Sequence, residues 1–130
     1  MSFRKVEKPK AQLPQKEREA IIDLLHLCLY ADSHIALKEG EFIADVVDVI
    51  GWETQISFGS YESKSIAAAR AAKESPAAKQ EFLSFAAERL ASKESQALAL
   101  DLCKQLFYAD GSTADKESAL LSEIRVALKK

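Results

Sequence analysis

The chain has the length of one domain and the composition of a globular protein. Its 130 residues are 48% hydrophobic and 29% charged, which excludes a disordered chain and provides a core without disulfide or metal support. A net charge of −2 argues against a nucleic-acid-binding protein, which is usually strongly basic. No apolar run approaches the ~20 residues of a membrane span. No hydrophobic signal core follows the basic start, so we expect a cytoplasmic protein without a transmembrane segment.

The beginning of the chain is basic, unlike the remainder. The first sixteen residues carry five basic side chains against Glu7, which gives +4 and leaves about −6 for the rest. Pro9 and Pro14 interrupt this stretch. We expect residues 1–15 to form a flexible, solvated leader, with contact to an anionic membrane or nucleic acid as the alternative. Residues 16–130 are expected to form a single domain.

Two helices are predicted in the first half of this domain. The first, Lys16–Asp32, has apolar residues around nearly its whole circumference, which predicts a central buried helix. The second, Lys38–Gly51, has apolar residues at spacings near 3.6, and Gly51 is a natural C-terminal stop. A connection or single short turn, Trp52–Gly59, follows. Its aromatic residues, together with Tyr61, are expected to cap the core, with a small partner-binding patch as the alternative.

Four further helical stretches complete the chain. An alanine-rich helix is predicted over Tyr61–Lys73, and Ser75 followed by Pro76 predicts the start of the next one. We expect that fourth helix to bury one stripe of residues: Phe82, Phe85, Ala86 and Leu90. Ser92 is placed to cap a fifth helix that is again apolar on most sides, and a sixth begins near Lys116.

The cysteines and histidines do not form a recognisable reactive site. Cys28 and Cys103 lie in apolar helical stretches and are expected to be buried thiols. Asp23 and His26 share one helix face, where we expect structural pairing rather than acid–base catalysis. His34 is expected to be an exposed turn residue, with metal ligation as the alternative. No nucleophile and base pattern is present, so an enzyme is not expected.

A ten-residue phrase occurs twice in the chain. "YADSHIALKE" spans Tyr30–Glu39 and "YADGSTADKE" spans Tyr108–Glu117, at an offset of 78 residues. The similarity extends into the flanking helices, so the repeated unit is a helix, an acidic turn and a second helix. These features predict an all-α fold: a compact bundle of about six to seven helices built from two pseudo-two-fold related helix–turn–helix units.

Helix electrostatics explain the glutamates of the repeated phrase better than the aspartates. Glu39 and Glu117 fall in the first turn of a following helix, where a carboxylate gains about 0.3–1 kcal/mol from the helix dipole. Asp32 and Asp110 follow a helix C-terminus, where negative charge is unfavourable. Two explanations remain open: their side chains accept backbone N–H groups as substitute caps, or the four carboxylates together bind Ca²⁺, Mg²⁺ or Mn²⁺. The spacing excludes an EF-hand.

The two phrases resemble the paired signatures of the TerB-like family, which includes tellurite-resistance proteins and N-terminal domains of membrane-anchored DnaJ-like co-chaperones. The resemblance covers roughly residues 16–128 and implies about seven helices in two related halves. It also implies an acidic metal-binding surface and a stress-linked role in membrane-associated complexes rather than catalysis. Ser33 stands where the signature has glycine, and Thr113 where it has an apolar residue. The family's metal residues correspond to Asp32, Glu39, Asp110 and Glu117.

These observations give two main functional hypotheses, beside a third in which Asp23 and His26, or the cluster of carboxylates, serve a hydrolase. The first is a non-enzymatic TerB-like, stress-associated domain whose acidic turns bind a divalent cation or a basic partner surface. The second is a protein–protein interaction scaffold without metal, in which the acidic turns are structural caps. In both, the partner is an unidentified protein, no nucleic acid is involved, and no cofactor other than the cation is expected.

Overall fold

The structure is a computed structural model that describes residues 14–29, 37–52, 55, 57–90, 92–108 and 115–128. These residues form six α-helices and no strand, which pack as a compact bundle and confirm the all-α prediction. Nearly all of the predicted leader lies outside the described residues. The helices are α1 (Gln15–Leu29), α2 (Leu37–Ile50), α3 (Phe58–Ala72), α4 (Pro76–Arg89), α5 (Lys93–Tyr108) and α6 (Asp115–Leu128).

Helix α1 is the central helix of the bundle, as its apolar circumference predicts. It packs against α2, α3, α4 and α5, and every residue from Ala20 to Leu29 is buried. Each fully buried leucine or isoleucine contributes about 1.5–3 kcal/mol relative to an exposed one. Helix α5 differs, because it buries Leu102 and Leu106 on one face while Lys104 is exposed.

Serine side chains fix where two of the predicted helices begin. Ser75 Oγ accepts a hydrogen bond from the Ala78 N–H at 3.1 Å, and Pro76 occupies the first helical position. Ser92 Oγ accepts in the same way from the Ser95 N–H at 3.1 Å. Both predicted starts are confirmed. A serine or proline at these positions is a local feature that needs no tertiary contact to be effective.

Helix α3 begins three residues before the predicted start at Tyr61. Its first residue is Phe58, and Ser57 acts as the N-cap by accepting a hydrogen bond from the Ser60 N–H at 3.3 Å. The connection between α2 and α3 is therefore shorter than the predicted range, Trp52–Gly59. The sequence did not predict Ser57 as an N-cap, although serine is one of the residues that favour this position.

The helices of the two halves of the chain begin at the same offset. Helices α2 and α6 each contain 14 residues and begin 78 positions apart, and α1 and α5 also begin 78 positions apart. Several buried positions repeat at this offset, whereas His26 is buried and its equivalent Lys104 is exposed. The spatial pseudo-two-fold relation stays a prediction. The equivalent buried pairs include Ile21 and Ala99, Leu24 and Leu102, Leu25 and Cys103, Cys28 and Leu106, Val46 and Ile124, and Ile50 and Leu128.

Two further predictions concern the burial of the cysteines and the absence of a membrane-spanning helix. Cys28 and Cys103 are both buried, with 3% and 0% of their surfaces exposed, so the prediction of buried thiols is confirmed. Within the described parts of the chain, no helix combines the length and apolar character that a bilayer span requires.

Gly51 ends α2 in a left-handed conformation that favours glycine. Its φ is +84°, and its N–H donates to the Val47 carbonyl at 2.9 Å. A β-carbon at this position would lie 3.4 Å from Nη2 of Arg18, a residue that is only 5% exposed. The Arg18 guanidinium thus lies against the C-terminal end of α2, where a positive charge stabilises the helix dipole.

We expect Gly51→Ala to lower the free energy of unfolding by about 1–2 kcal/mol, because alanine is strained at positive φ and crowds Arg18. Gly59→Ala is the matched control. Gly59 lies in the first turn of α3, and the closest atom to an added β-carbon is Ser57 Oγ at 3.9 Å. The control is expected to change stability by less than about 0.5 kcal/mol. Urea denaturation measures both variants, and equal losses would contradict the strain argument.

Candidate functional site

The predicted acidic turns fall largely outside the described residues. Asp32 and Asp110 are not described, and neither is His34. Glu39 and Glu117 are each the third residue of a helix, α2 and α6 respectively, so their predicted first-turn positions are confirmed for the backbone. Convergence of the four carboxylates on one cation stays a prediction. Among the side chains that the structure describes, no three His, Cys, Asp or Glu residues gather as a metal-binding group.

A polar network of described residues lies between α1, α3 and α4. Its centre is the Asp23 carboxylate, which is 6% exposed. Asp23 Oδ1 accepts hydrogen bonds from the hydroxyls of Tyr61 at 2.8 Å and Ser65 at 2.6 Å. Its Oδ2 forms an ion pair with Nη2 of Arg89, and Nη1 of the same guanidinium donates to Tyr61 Oη at 3.3 Å. A buried carboxylate is thereby matched with one cation and two hydroxyl donors.

His26 joins this network through Ser65 and not by direct contact with Asp23. Its Nδ1 lies 2.8 Å from Ser65 Oγ. The single proton of the Ser65 hydroxyl goes to Asp23, so Nδ1 of His26 must be the donor to Ser65. In the neutral ring Nε2 then carries the lone pair. The ring is fully buried, Nε2 has no hydrogen-bond partner among the described residues, and Glu62 Oε2 lies 3.7 Å away.

Burial and the Asp23 charge act on the pKa values of this network. Burial lowers the pKa of His26 to about 4, although the Asp23 carboxylate acts in the opposite direction. Burial, with the nearby Asp23 carboxylate, raises the pKa of Tyr61 above its ordinary value. Burial alone would lower the pKa of Arg89, but Asp23 and Tyr61 outweigh it, so the pKa is raised. At neutral pH the network therefore contains neutral His26, neutral Tyr61 and charged Arg89.

The geometry of the network is that of a structural cluster. In a serine hydrolase the histidine lies between the serine and the aspartate. Here Ser65 lies between His26 and Asp23, it is 3% exposed, and its proton is committed to the carboxylate. None of the three side chains presents a free reactive atom to solvent. The arrangement agrees with the predicted structural role of Asp23 and His26, with the difference that a serine links them.

Tyr61, Ser65 and Arg89 are members of this network that the sequence did not predict. Tyr61 and Ser65 are four residues apart and so share a face of α3. This spacing was the one available indication. Nothing in the sequence connects that face with Asp23, which is 38 to 66 positions away from its three partners.

The aromatic residues beside the network cap the core, as predicted. The ring of Trp52 packs edge-on against Phe58, with centroids 5.0 Å apart, and lies 5.4 Å from the ring of Tyr61. All three are partly buried and contact the core cluster. Edge-to-face and tilted ring pairs of this kind add about 0.5–1.5 kcal/mol to the energy of burial.

One of the predicted core residues of α4 is exposed. Phe85 is 58% exposed, whereas Leu83, Ala86 and Leu90 are buried. The predicted stripe is therefore wrong at Phe85. Neighbouring residues on a helix point about 100° apart, so the face centred on Leu83 and Ala86 turns Phe85 towards solvent. The Arg89 guanidinium covers part of its ring, with Cζ 3.9 Å from the ring centroid.

Comparisons with protein-family models, with curated proteins and with solved structures give no match for this chain. The TerB-like resemblance thus stays an expectation that depends on the two acidic phrases.

Proposed function

We propose that this chain is a non-enzymatic, TerB-like helical domain whose two acidic turns bind a divalent cation. The observation that carries the proposal is the equal offset of the helix starts and of the two acidic phrases in the sequence. Helices α2 and α6 begin 78 positions apart, so Asp32 and Glu39 occupy the same places in the first unit as Asp110 and Glu117 in the second. Four carboxylates supply oxygen ligands of the kind that Ca²⁺, Mg²⁺ and Mn²⁺ prefer.

Helix dipoles support a cation at these turns. Helix α1 ends at Leu29 and α5 at Tyr108, two to three residues before Asp32 and Asp110. The C-terminal end of a helix carries about half a negative charge, which adds to the negative charge of the aspartates. A cation offsets both. In a non-enzymatic domain the bound ion would stabilise the two turns, and a basic partner surface could supply the same positive charge.

The helix starts favour a second candidate, an interaction scaffold without metal. The residues directly before α2 and α6 are Ala36 and Ala114. Alanine has no side-chain acceptor for the unpaired N–H groups of a helix N-terminus. Asp32 and Asp110 could supply this acceptor from within the turn. Under this alternative, both aspartates stabilise the fold and no ion is needed.

We expect millimolar Ca²⁺, Mg²⁺ or Mn²⁺ to raise the melting temperature by several degrees, because an ion at about 100 times its Kd stabilises the folded state by about 2.7 kcal/mol. Asp32→Asn combined with Asp110→Asn should abolish this rise. The matched control is Asp45→Asn with Asp48→Asn, which removes the same charge from two exposed positions on α2. Differential scanning fluorimetry with and without each ion measures all three proteins.

The same experiment separates the two candidates. An ion-dependent rise that survives in the Asp32/Asp110 variant, or that is absent from all proteins, contradicts the cation site. A variant that melts at a lower temperature with or without ions supports the scaffold, in which the aspartates act as caps.

A further inference from the structure

The face of α4 that points away from the described core carries one large apolar residue, Phe85. Six residues of this helix form a shallow, open surface. Phe85 is one of them, and Val126 on α6 is the other large apolar residue that is strongly exposed in the described part of the chain. The six residues are Ala77, Gln80, Glu81, Ser84, Phe85 and Glu88.

The side chain of Arg89 holds the Phe85 ring in place. Arg89 stacks on it, and Arg89 is itself fixed by its ion pair with buried Asp23 and its hydrogen bond to Tyr61. Nε of Arg89 also donates to the Phe85 carbonyl at 3.3 Å. An aromatic ring that is already ordered loses little conformational entropy when a ligand covers it. Such rings are typical anchors of binding surfaces.

Two acidic residues flank this ring. Glu81 and Glu88 lie about one turn before and after Phe85 on the same helix face. Neither has an ion pair with another described residue. Seven residues of helix separate their α-carbons by ~10 Å along the axis. The face therefore offers an apolar centre between two carboxylates, which complements an apolar residue between two basic ones.

We propose that this face of α4 binds the chain's own basic N-terminal segment, "FRKVEKPK" at residues 3–10. Val6 lies between Arg4 and Lys8, and alternate side chains of an extended segment point to the same side, so these three residues can face α4 together. The two basic residues are ~13 Å apart along such a segment, and their long, flexible side chains can reach carboxylates ~10 Å apart. The segment is long enough to reach the site. Thirteen residues precede Pro14 and can span ~45 Å. From Gln15 to Asp23, which contacts Arg89, helix α1 advances only ~12 Å.

Paramagnetic relaxation in the full chain tests the contact. A nitroxide on Ser2→Cys labels the segment selectively, because Cys28 and Cys103 are buried. The expected result is broadening of the amide resonances between Ala77 and Glu88. Glu81→Gln with Glu88→Gln should reduce the ratio of bound to unbound segment by about ten-fold, the effect of losing two exposed ion pairs of ordinary strength.

Matched control variants test whether the contact is specific to α4, and mixing differently labelled chains tests whether it forms within one chain. Asp45→Asn with Asp48→Asn removes equal charge from α2, and Val126→Ala removes an exposed apolar side chain from α6, so both should retain the broadening. Phe85→Ala should reduce it. Broadening that is absent from α4, or that persists after the glutamate substitutions, overturns the proposal. Broadening of isotope-labelled chains by separate nitroxide-labelled chains indicates binding to a second copy and also overturns it.

Discussion

Asp23→Ala is expected to lower the free energy of unfolding by about 3–5 kcal/mol, because it leaves the Arg89 guanidinium without its buried carboxylate partner. The hydroxyls of Tyr61 and Ser65 lose their acceptor in the same substitution. A loss of this size is a large part of the 5–15 kcal/mol that typically stabilises a domain. Urea denaturation at neutral pH measures the difference from the unsubstituted chain.

Asp101→Ala is the matched control, since Asp101 occupies the position equivalent to Asp23 in the second unit. It is only partly buried and accepts a hydrogen bond from Gln105 at 2.8 Å, four residues along the same helix. We expect this variant to lose no more than about 1 kcal/mol. Asp23→Leu combined with Arg89→Met should lose less than Asp23→Ala, because no buried charge remains unpaired. Equal losses from Asp23→Ala and Asp101→Ala would contradict the argument.

The elements that the sequence predicted well are those that local chemistry decides. Pro76 and the two serine caps act within four residues of their own positions, so the starts of α4 and α5 could be assigned without tertiary information. The apolar circumference of α1 likewise requires burial on all sides wherever the helix lies. The common 78-residue offset between the starts of the paired helices agrees with the repeated sequence in the same way.

The candidate sites were harder to predict because they depend on how helices face one another. The network around Asp23 joins residues of three helices, and its members carry no shared sequence pattern. Phe85 was assigned to the core because it fits an apolar stripe with Phe82, yet the packing of α4 against α1 and α3 selects the face of Leu83 and Ala86.

The second large effect is a loss of folding stability at acidic pH that results from protonation of His26 in the unfolded state. Burial holds its pKa at about 4 in the folded chain, against about 6.5 in an unfolded one. Between these values the unfolded state binds a proton that the folded state does not. The contribution of His26 to stability is therefore complete above pH 6.5 and is lost progressively as the pH falls to 4. The expected loss is about 3 kcal/mol over this interval.

A nearby carboxylate influences the pKa of His26, and the other histidine of the chain provides the control. Burial lowers the pKa of His26, and the Asp23 carboxylate limits this decrease because it favours the protonated ring. Urea denaturation between pH 7.5 and 4.5 should show a shallower pH dependence for His26→Gln than for His34→Gln, which removes the other histidine. The difference between these variants cancels the titration of carboxylates common to both. NMR titration of the unsubstituted chain gives an independent measurement, because one imidazole should remain neutral below pH 5. Two imidazoles that both titrate near 6.5 would contradict the buried, neutral His26 on which the tautomer and the Ser65 bridge depend.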